Sequence, residues 1–272
     1  MSDIVLTAGV RSNLLQLQKT ADLITSTQTK LATGKRVNSA LDNPINYFTA
    51  QGLINRSNDL GNLLDSMSSG ISTIQAASNG ITSITKLVQS AQALASQAQQ
   101  TTDTTVRASL AAQFDLILTQ IDKLAGDSSF NGINLLRGDK LKLTFNETGK
   151  STLNITGVDF NATGLGLDNL ASGTDFIDNA TTNRIVANLS AASTLLRTQG
   201  SALGSNLSIV QIRQDFSKNL INVLQTGSSN LTLADTNEEA ANSQALSTRQ
   251  SIAVSALALA NTSQQSVLQL LR

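Results

Sequence analysis

The sequence predicts a mainly α-helical protein: an elongated bundle of long, coiled-coil-like helices, with paired N- and C-terminal helices and a small β-hairpin insert. Three observations support this prediction. Apolar residues recur every three or four positions over long segments, which is the period of a helix. Aromatic residues make up only 3% of the chain, so the core must consist of Leu, Ile, Val and Ala, which interdigitate well along helix seams. One segment, residues 141–156, alternates apolar and polar residues as a β-hairpin does.

The first helix is predicted over residues 4–33, and Gly34 is its predicted stop. Its apolar positions follow a heptad spacing interrupted only at Gln28: Val10, Leu14, Leu17, Ala21, Ile24 and Leu31. Asn43 then precedes Pro44, the single proline of the chain. An Asx cap followed by proline at the first helical position predicts the start of a second helix.

The second helix is predicted to be long. Its apolar positions are Leu53, Leu60, Leu63, Met67, Ile74, Ile81, Ile84, Val88, Ala91 and Ala95. A helix of roughly 57 residues measures about 85 Å, which exceeds the width of about 50 Å of a compact globule of this size. Gly61, Gly70 and Gly80 each weaken the helix by up to about 1 kcal/mol, but the apolar spacing continues across them. A third helix carries Val106 to Leu124 and ends at Gly126.

The hairpin and two further helices follow. The apolar residues of the hairpin flank a turn at Gly149 and are Leu141, Leu143, Phe145, Leu153 and Ile155. A fourth helix is predicted over residues 179–228, with its stripe at Ile185, Leu189, Leu196, Leu203, Val210, Phe216, Leu220 and Leu224. Asp235, with Glu238 three residues later, has the spacing of a capping box and predicts the start of the closing helix.

Composition argues against several functions. The chain has no Cys and no His, so it lacks disulfides, thiolate metal sites and the commonest general base. Neither an enzyme nor a cofactor or metal is expected. The 19 basic and 19 acidic residues balance, so nucleic acid is not an expected partner. No run of 18 apolar residues indicates a transmembrane helix, and the N-terminus lacks the pattern of a cleaved signal peptide.

The short motifs that resemble ligand-binding, modification or catalytic sequences have simpler structural or compositional explanations. The "TGKR" at residues 33–36 lacks the upstream glycine of a phosphate-binding loop, since Thr29 stands there, and a helix stop explains it better. Asn-x-Ser/Thr triplets are frequent because the chain is rich in these residues. Glu238 and Glu239 are adjacent and therefore point apart on a helix, so capping explains them better than a catalytic pair.

The apolar chain ends are the feature of the sequence that a simple structural explanation does not cover. The stretch "IAVSALALANTSQQSVLQLLR", residues 252–272, carries a single charge, Arg272. Burying its eight large apolar residues contributes about 12–24 kcal/mol, whereas ordering about 20 residues costs about 20–40 kcal/mol. A bare pair of terminal helices is therefore marginal, and the remaining cover must come from other copies. The predicted self-assembly seams are Leu14, Leu17, Ile24, Leu31, Ile252, Leu259, Val267 and Leu270.

Several of these residues resemble bacterial flagellin. The stretch "LATGKRVNSALDNP" (31–44) is similar to the flagellin segment that ends the first helix, and "FNGINLL" (130–136) resembles its Phe-Asn-Gly turn. The last 35 residues, beginning "EEAANSQAL" (238–272), resemble the flagellin C-terminus nearly throughout. The resemblance covers about residues 1–140 and 180–272, in the same order.

The resemblance implies a domain arrangement. Residues 1–40 and 235–272 would form terminal helices in the inner core of a filament. Residues 41–139 and 178–234 would form a helical rod domain. Residues 140–177 would form a hairpin and irregular insert that faces outward. Many flagellins also carry an Arg-Glu-Leu-Ala motif read by an innate-immune receptor, where this chain has "QALA" (92–95).

The resemblance also implies a function: a structural subunit that self-assembles into the helical flagellar filament for swimming motility. Its partners would be further copies of itself, sister flagellins, the flagellar export apparatus and a chaperone, and the hook-associated junction and cap proteins. Neither nucleic acid nor a membrane is among them, and the protein would be secreted to the extracellular filament. A hook–filament junction protein and a secreted helical effector or adhesin are the alternatives.

Overall fold

Five helices and one hairpin form the part of the chain that the structure describes. This computed structural model describes residues 8–167 and 176–270, apart from the side chains of residues 264 and 267–270. The elements in chain order are α1 (Ala8–Thr33), α2 (Pro44–Gln100), α3 (Thr104–Asp127), β1 (Lys140–Thr144), β2 (Thr152–Thr156), α4 (Asn179–Thr232) and α5 (Thr236–Leu270). The mainly α-helical fold class is confirmed. Residues 4–7 of the predicted first helix lie outside the described residues.

The helix ends follow local sequence signals. Gly34 has a φ of +68° directly after α1, in the left-handed region that glycine adopts without strain. The side chain of Asn43 accepts a hydrogen bond from a backbone N–H of the first turn of α2 at 3.0 Å. Asp235 accepts two such bonds at the start of α5, at 2.9 and 3.3 Å. Asp103 caps α3 in the same way, a cap that the sequence reading missed.

The chain divides into two compact units, Met1–Asn55 with Val223–Arg272 and Arg56–Asn222. In the second unit, the buried side chains of α2 recur at heptad spacing without interruption: Leu60, Met67, Ile74, Ile81, Val88 and Ala95. The helix therefore continues through Gly61, Gly70 and Gly80, as predicted. Gly70 also has a packing role, because a Cβ at this position would lie 2.4 Å from Cδ2 of Leu143 in the hairpin.

The hairpin packs on the helices of the second unit. Strands β1 and β2 pair antiparallel, with Leu143 opposite Leu153, and Gly149 takes a φ of +71° in the turn. Four of the five predicted apolar residues are buried and Leu153 is half-buried. The guanidinium of Arg213 lies 5.6 Å from the centre of the Phe145 ring. The predicted hairpin is confirmed, and its apolar face lies on the helices.

One position of the predicted α4 stripe is wrong. Phe216 is 58% exposed, whereas its neighbour Ser217 is 2% exposed. The seam of α4 keeps a strict spacing of seven through Leu203, Val210 and Leu224, and that spacing places residue 217, not 216, against the neighbouring helices. The small Ser217 fits a position of close helix packing, and the larger ring remains outside.

Arg107 links α3 to the start of α4. Its buried guanidinium group donates hydrogen bonds to the carbonyl oxygens of Thr101, Phe176 and Ile177 at 2.7 to 3.2 Å, and to the side chain of Asn179. Because a buried charge needs several partners to replace its hydration, these acceptors fix the segment before α4 at one place on α3.

Candidate self-assembly surface

The terminal helices α1 and α5 pack against each other within the first unit. They run antiparallel, because Lys30 near the end of α1 contacts Glu239 near the start of α5. Lys30 Nζ lies 3.0 Å from Glu239 Oε1, and the Glu239 side chain is 11% exposed. This ion pair fixes the end of the helix pair, and the sequence reading missed it because the partners are far apart along the chain.

The inner seam of α1 differs in part from the predicted one. Leu17, Ile24 and Leu31 are half-buried on it, whereas Leu14 is exposed beside it. Thr20 and Thr27 are buried at seam positions instead. The seam thus alternates apolar and hydroxyl side chains, which lowers the apolar area that α1 and α5 bury together.

The inner seam of α5 is offset from the predicted stripe. Leu246 is buried, and Ala253 and Leu257 are half-buried. The predicted Ile252 and Leu259 are 63% and 73% exposed. They lie on a different face of the helix from the residues that pack on α1. The side chains of Val267 and Leu270 lie outside the described residues, so their predicted role is not addressed.

The described part of the terminal pair exposes a large set of apolar side chains. They are Leu14, Leu15 and Leu23 on α1, and Ile252, Val254 and Leu259 on α5. Single exposed apolar residues are ordinary, but six large ones on one pair of helices leave more apolar area in water than isolated exposures do. We call these six residues the terminal apolar surface. It offers an area that another protein chain could cover.

Hydroxyl side chains on the terminal helices bond to their own backbone. Thr25, Thr29 and Thr33 in α1, and Thr248, Ser251 and Ser255 in α5, each donate to the carbonyl oxygen four residues earlier. Their donor capacity is therefore used inside one turn of helix. These residues add little to specific binding of polar ligands.

A short connection joins α1 to α2 beside the end of α4. The backbone N–H of Arg36 donates to the carbonyl of Thr232 at 2.8 Å. Asp42 accepts hydrogen bonds from the N–H groups of Ser39 and Asn38 at 2.8 and 2.9 Å. These bonds, led by that of Ser39, hold the pKa of Asp42 below its usual value of 3.8. Asp42 therefore stabilises the connection as a carboxylate.

Candidates for chemistry are few among the described residues. One buried polar oxygen without a partner, Oδ1 of Asp115, lies on α3, and burial raises the pKa of this group. The described residues contain no group of three side chains able to hold a metal ion. None of the described helices has a stretch apolar and uncharged enough to cross a membrane.

Comparison with known proteins identifies a family. Residues 7–140 match the bacterial flagellin N-terminal helical region, and residues 186–271 match the bacterial flagellin C-terminal helical region. Both matches fall on the long helices, and the hairpin strand β2 lies between them. The two matched regions include the whole described terminal pair.

Relatives of similar length agree with this match. The chain is 30% identical to flagellin FljO of Caulobacter vibrioides, covering 100% of this chain and 99% of the relative. It is 24% identical to a flagellin of Brucella melitensis over the full length of both. A crystal structure of Bacillus cereus flagellin is similar at 20% identity and a TM-score of 0.47, covering 55% of this chain and 86% of that one. Given the two matched regions and the full-length similarity to FljO, the chain belongs to the bacterial flagellin family.

Proposed function

We propose that the protein is a structural subunit that self-assembles into the helical filament of the bacterial flagellum. The observation that carries the proposal is the terminal apolar surface on the α1–α5 pair. A homopolymer covers such a surface with further copies of the same chain, which removes the apolar side chains from water. The family also favours this function over a junction protein and over a secreted effector or adhesin.

The proposal assigns a place to each part of the chain. Residues 1–40 and 235–272 form the inner filament core, with the predicted seam residues as subunit contacts. Residues 41–139 and 178–234 form the surrounding helical rod, and residues 140–177 face outward. The exposed polar side chains of the hairpin, among them Lys142 and Lys150, support an outward position for the insert.

The proposed partners are copies of the chain itself and sister flagellins within the filament. The export apparatus and its chaperone would deliver the chain to the extracellular flagellum, and the junction and cap proteins would bound the polymer. The absence of cysteine and the single proline suit passage as an unfolded chain, since neither a disulfide nor several slow prolyl isomerisations delays refolding. The work of such a subunit is mechanical rather than catalytic.

Charge placed on the terminal apolar surface tests the proposal. Leu259 is largely exposed in the single chain, so Leu259→Asp should leave the thermal melting of the monomer nearly unchanged. In a filament the added carboxylate would be buried without a partner, which costs several kcal/mol. We therefore expect no filaments from this variant by electron microscopy. Leu17→Asp should also block assembly. Because Leu17 lies on the inner seam, the monomer of this variant should also have a lower helix content than the wild type.

Thr148→Asp is the matched control, because it adds the same charge on the exposed hairpin turn. It should form filaments of normal length and yield. Normal filaments from Leu259→Asp would contradict the proposal that this face is buried between subunits. Counting copies per flagellum separates the two related functions, since a junction protein is present in few copies and a filament subunit in many.

A further inference from the structure

The dipeptide Asn-Gly occurs twice in the chain, at Asn79–Gly80 and at Asn131–Gly132. Glycine lacks a Cβ, so its backbone nitrogen is little hindered toward the carboxamide of a preceding asparagine. Attack by that nitrogen closes a five-membered ring and expels ammonia. The two dipeptides share this chemistry, but the fold places them in different surroundings.

Asn131 and Gly132 form a two-residue turn between α3 and β1. Their φ angles are +50° and +80°, and both residues are exposed. A pair of hydrogen bonds between the backbones of Phe130 and Ile133, each 3.0 Å long, closes the turn. In the described part of the chain nothing accepts a hydrogen bond from the Gly132 N–H, and nothing bonds to the Asn131 side chain. The nitrogen of Gly132 and the carboxamide of Asn131 are therefore both free to react.

Asn79 and Gly80 lie inside α2, where the backbone is held. The Asn79 side chain is also exposed, so exposure of the asparagine does not separate the two dipeptides. The N–H of Gly80 belongs to the hydrogen-bond ladder of the helix. Gly80 is buried, and a Cβ there would lie 2.2 Å from Oγ of Ser128 and 2.6 Å from Cδ1 of Leu136. The Gly80 nitrogen cannot approach the Asn79 carboxamide unless this part of the core opens.

We propose that Asn131 is a site of spontaneous backbone modification in the folded protein and that Asn79 is not. Once the turn opens, the nitrogen of Gly132 bonds to Cγ of Asn131, and the bond from Cγ to the side-chain nitrogen breaks. Water relays the proton of the Gly132 N–H to the departing nitrogen, which leaves as ammonia. A second water then adds to one of the two ring carbonyls and cleaves its bond to the ring nitrogen, which yields aspartate or isoaspartate. Water is the one co-reactant, and no group is oxidised or reduced.

The modification changes both the charge and the backbone of the chain. Each event adds one negative charge to a sequence whose 19 basic and 19 acidic residues balance. Isoaspartate also inserts one extra carbon atom into the backbone of a two-residue turn, which breaks the pairing of Phe130 with Ile133. The next residue, Asn134, donates hydrogen bonds to the carbonyl oxygens of Ala125 and Gly126 at 2.8 and 2.9 Å and so fixes the end of α3. The inference is independent of the proposed function, since it concerns the single chain.

Tryptic mapping of the folded full-length monomer, incubated at pH 8, tests this assignment. Trypsin cleaves after Lys and Arg, which places the two dipeptides in separate peptides, 57–86 and 124–137. Peptide 124–137 should gain the mass of an amide-to-carboxyl change and should accept methyl groups from an isoaspartate-specific methyltransferase. It should react at least about a hundredfold faster than peptide 57–86, because a core helix opens far less often than a surface turn.

The same incubation in denaturant is the control. Without the fold, both dipeptides should react at similar rates. Similar rates in the folded monomer would overturn the assignment, and so would a rate difference that persists in denaturant. Formation of aspartate without isoaspartate would overturn the cyclic route.

A matched pair of variants provides a second test. Asn131→Gly removes the carboxamide and keeps a residue that adopts a positive φ, so the turn should persist. Asn79→Ala removes the other carboxamide at an exposed helical position, which alanine favours. Isoelectric focusing of the incubated monomers should show the main acidic species in the wild type and in Asn79→Ala, but not in Asn131→Gly. Accumulation of that species at the wild-type rate in Asn131→Gly would overturn the assignment.

Discussion

Loss of the Arg107 side chain should destabilise the second unit. Arg107→Ala would leave the carbonyl oxygens of Phe176 and Ile177 without their donor, and each unpaired buried polar group costs about 1–3 kcal/mol. We expect the free energy of unfolding to fall by about 2–4 kcal/mol in chemical denaturation of the monomer. Arg184→Ala, at an exposed position of α4, is the control. An unchanged midpoint for Arg107→Ala would mean that water replaces the guanidinium.

Asp42 should make the connection between α1 and α2 sensitive to acid. Its pKa is lowered in the folded chain, so its stabilising effect is fully present above the usual value of 3.8. The effect is lost as the pH falls through the lower folded value, where the carboxylate takes up a proton. Hydrogen exchange of the Asn38 and Ser39 amides should therefore show protection at pH 5 that falls at low pH.

The Asp42→Asn variant provides the comparison. Its side chain carries no charge at either pH, so the amides of Asn38 and Ser39 should be less protected at pH 5 and should not respond to acid. Equal protection in the variant and in the wild type at pH 5 would show that the charge of Asp42 is irrelevant to this connection.

Individual caps were predictable from the sequence, but partners distant along the chain were not. Gly34, Asn43 and Asp235 act through neighbours within four residues, so their roles follow from local spacing. The Lys30–Glu239 pair and the Arg107 contacts join segments separated by 209 and by about 70 residues. No local pattern indicates such a pair, because the fold must first bring the two segments together.

At the scale of elements, the hairpin should tolerate a new turn but not a charge on its buried face. Replacing Glu147–Lys150 with another tight turn removes the Glu147–Arg56 ion pair of 2.5 Å, whose side chains are 24% and 48% exposed. Exposed ion pairs of this kind contribute about 0–1 kcal/mol to the free energy of unfolding. Phe145→Asp removes a buried ring and places a carboxylate in the core, which should lower the free energy of unfolding by at least about 3 kcal/mol.

Thermal melting and filament yield of the two hairpin variants distinguish these roles. We expect the turn variant to match the wild type in both measurements, and Phe145→Asp to melt at a lower temperature. Loss of filaments in the turn variant, with unchanged melting, would place the turn at a subunit contact. The outward position of the insert would then be wrong.

The long helices were predictable because their core residues recur at heptad spacing over many turns. The face of α5 that packs on α1 was not. Ile252 and Leu259 are larger than Ala253 and Leu257 taken together, so the periodicity indicated the face with Ile252 and Leu259 rather than the face that packs on α1. A helix with apolar residues on more than one face does not indicate which partner each face has. Phe216 on α4 was misplaced for the same reason.

At the scale of the whole molecule, the isolated subunit should resist proteases in its middle and not at its ends. The terminal pair is covered on one side only, and its inner seam includes Thr20 and Thr27, so its opening requires little free energy. Limited proteolysis of the monomer should leave a core near residues 45–230. Filaments should protect the ends as well. Early cuts inside that core, with intact termini, would contradict this prediction.

The hydroxyl groups that bond to their own helix backbone have a consequence for dehydration. Threonine and serine normally resist leaving water because a lost donor bond is costly. On α1 and α5 the donor of these hydroxyl groups is already satisfied by a carbonyl oxygen one turn earlier. Such a surface is polar enough to be hydrated in the monomer. When it is buried, only the acceptor of each hydroxyl group is left without a hydrogen bond. Subunits could therefore exclude solvent from a hydroxyl-rich face without matching each polar group across the contact.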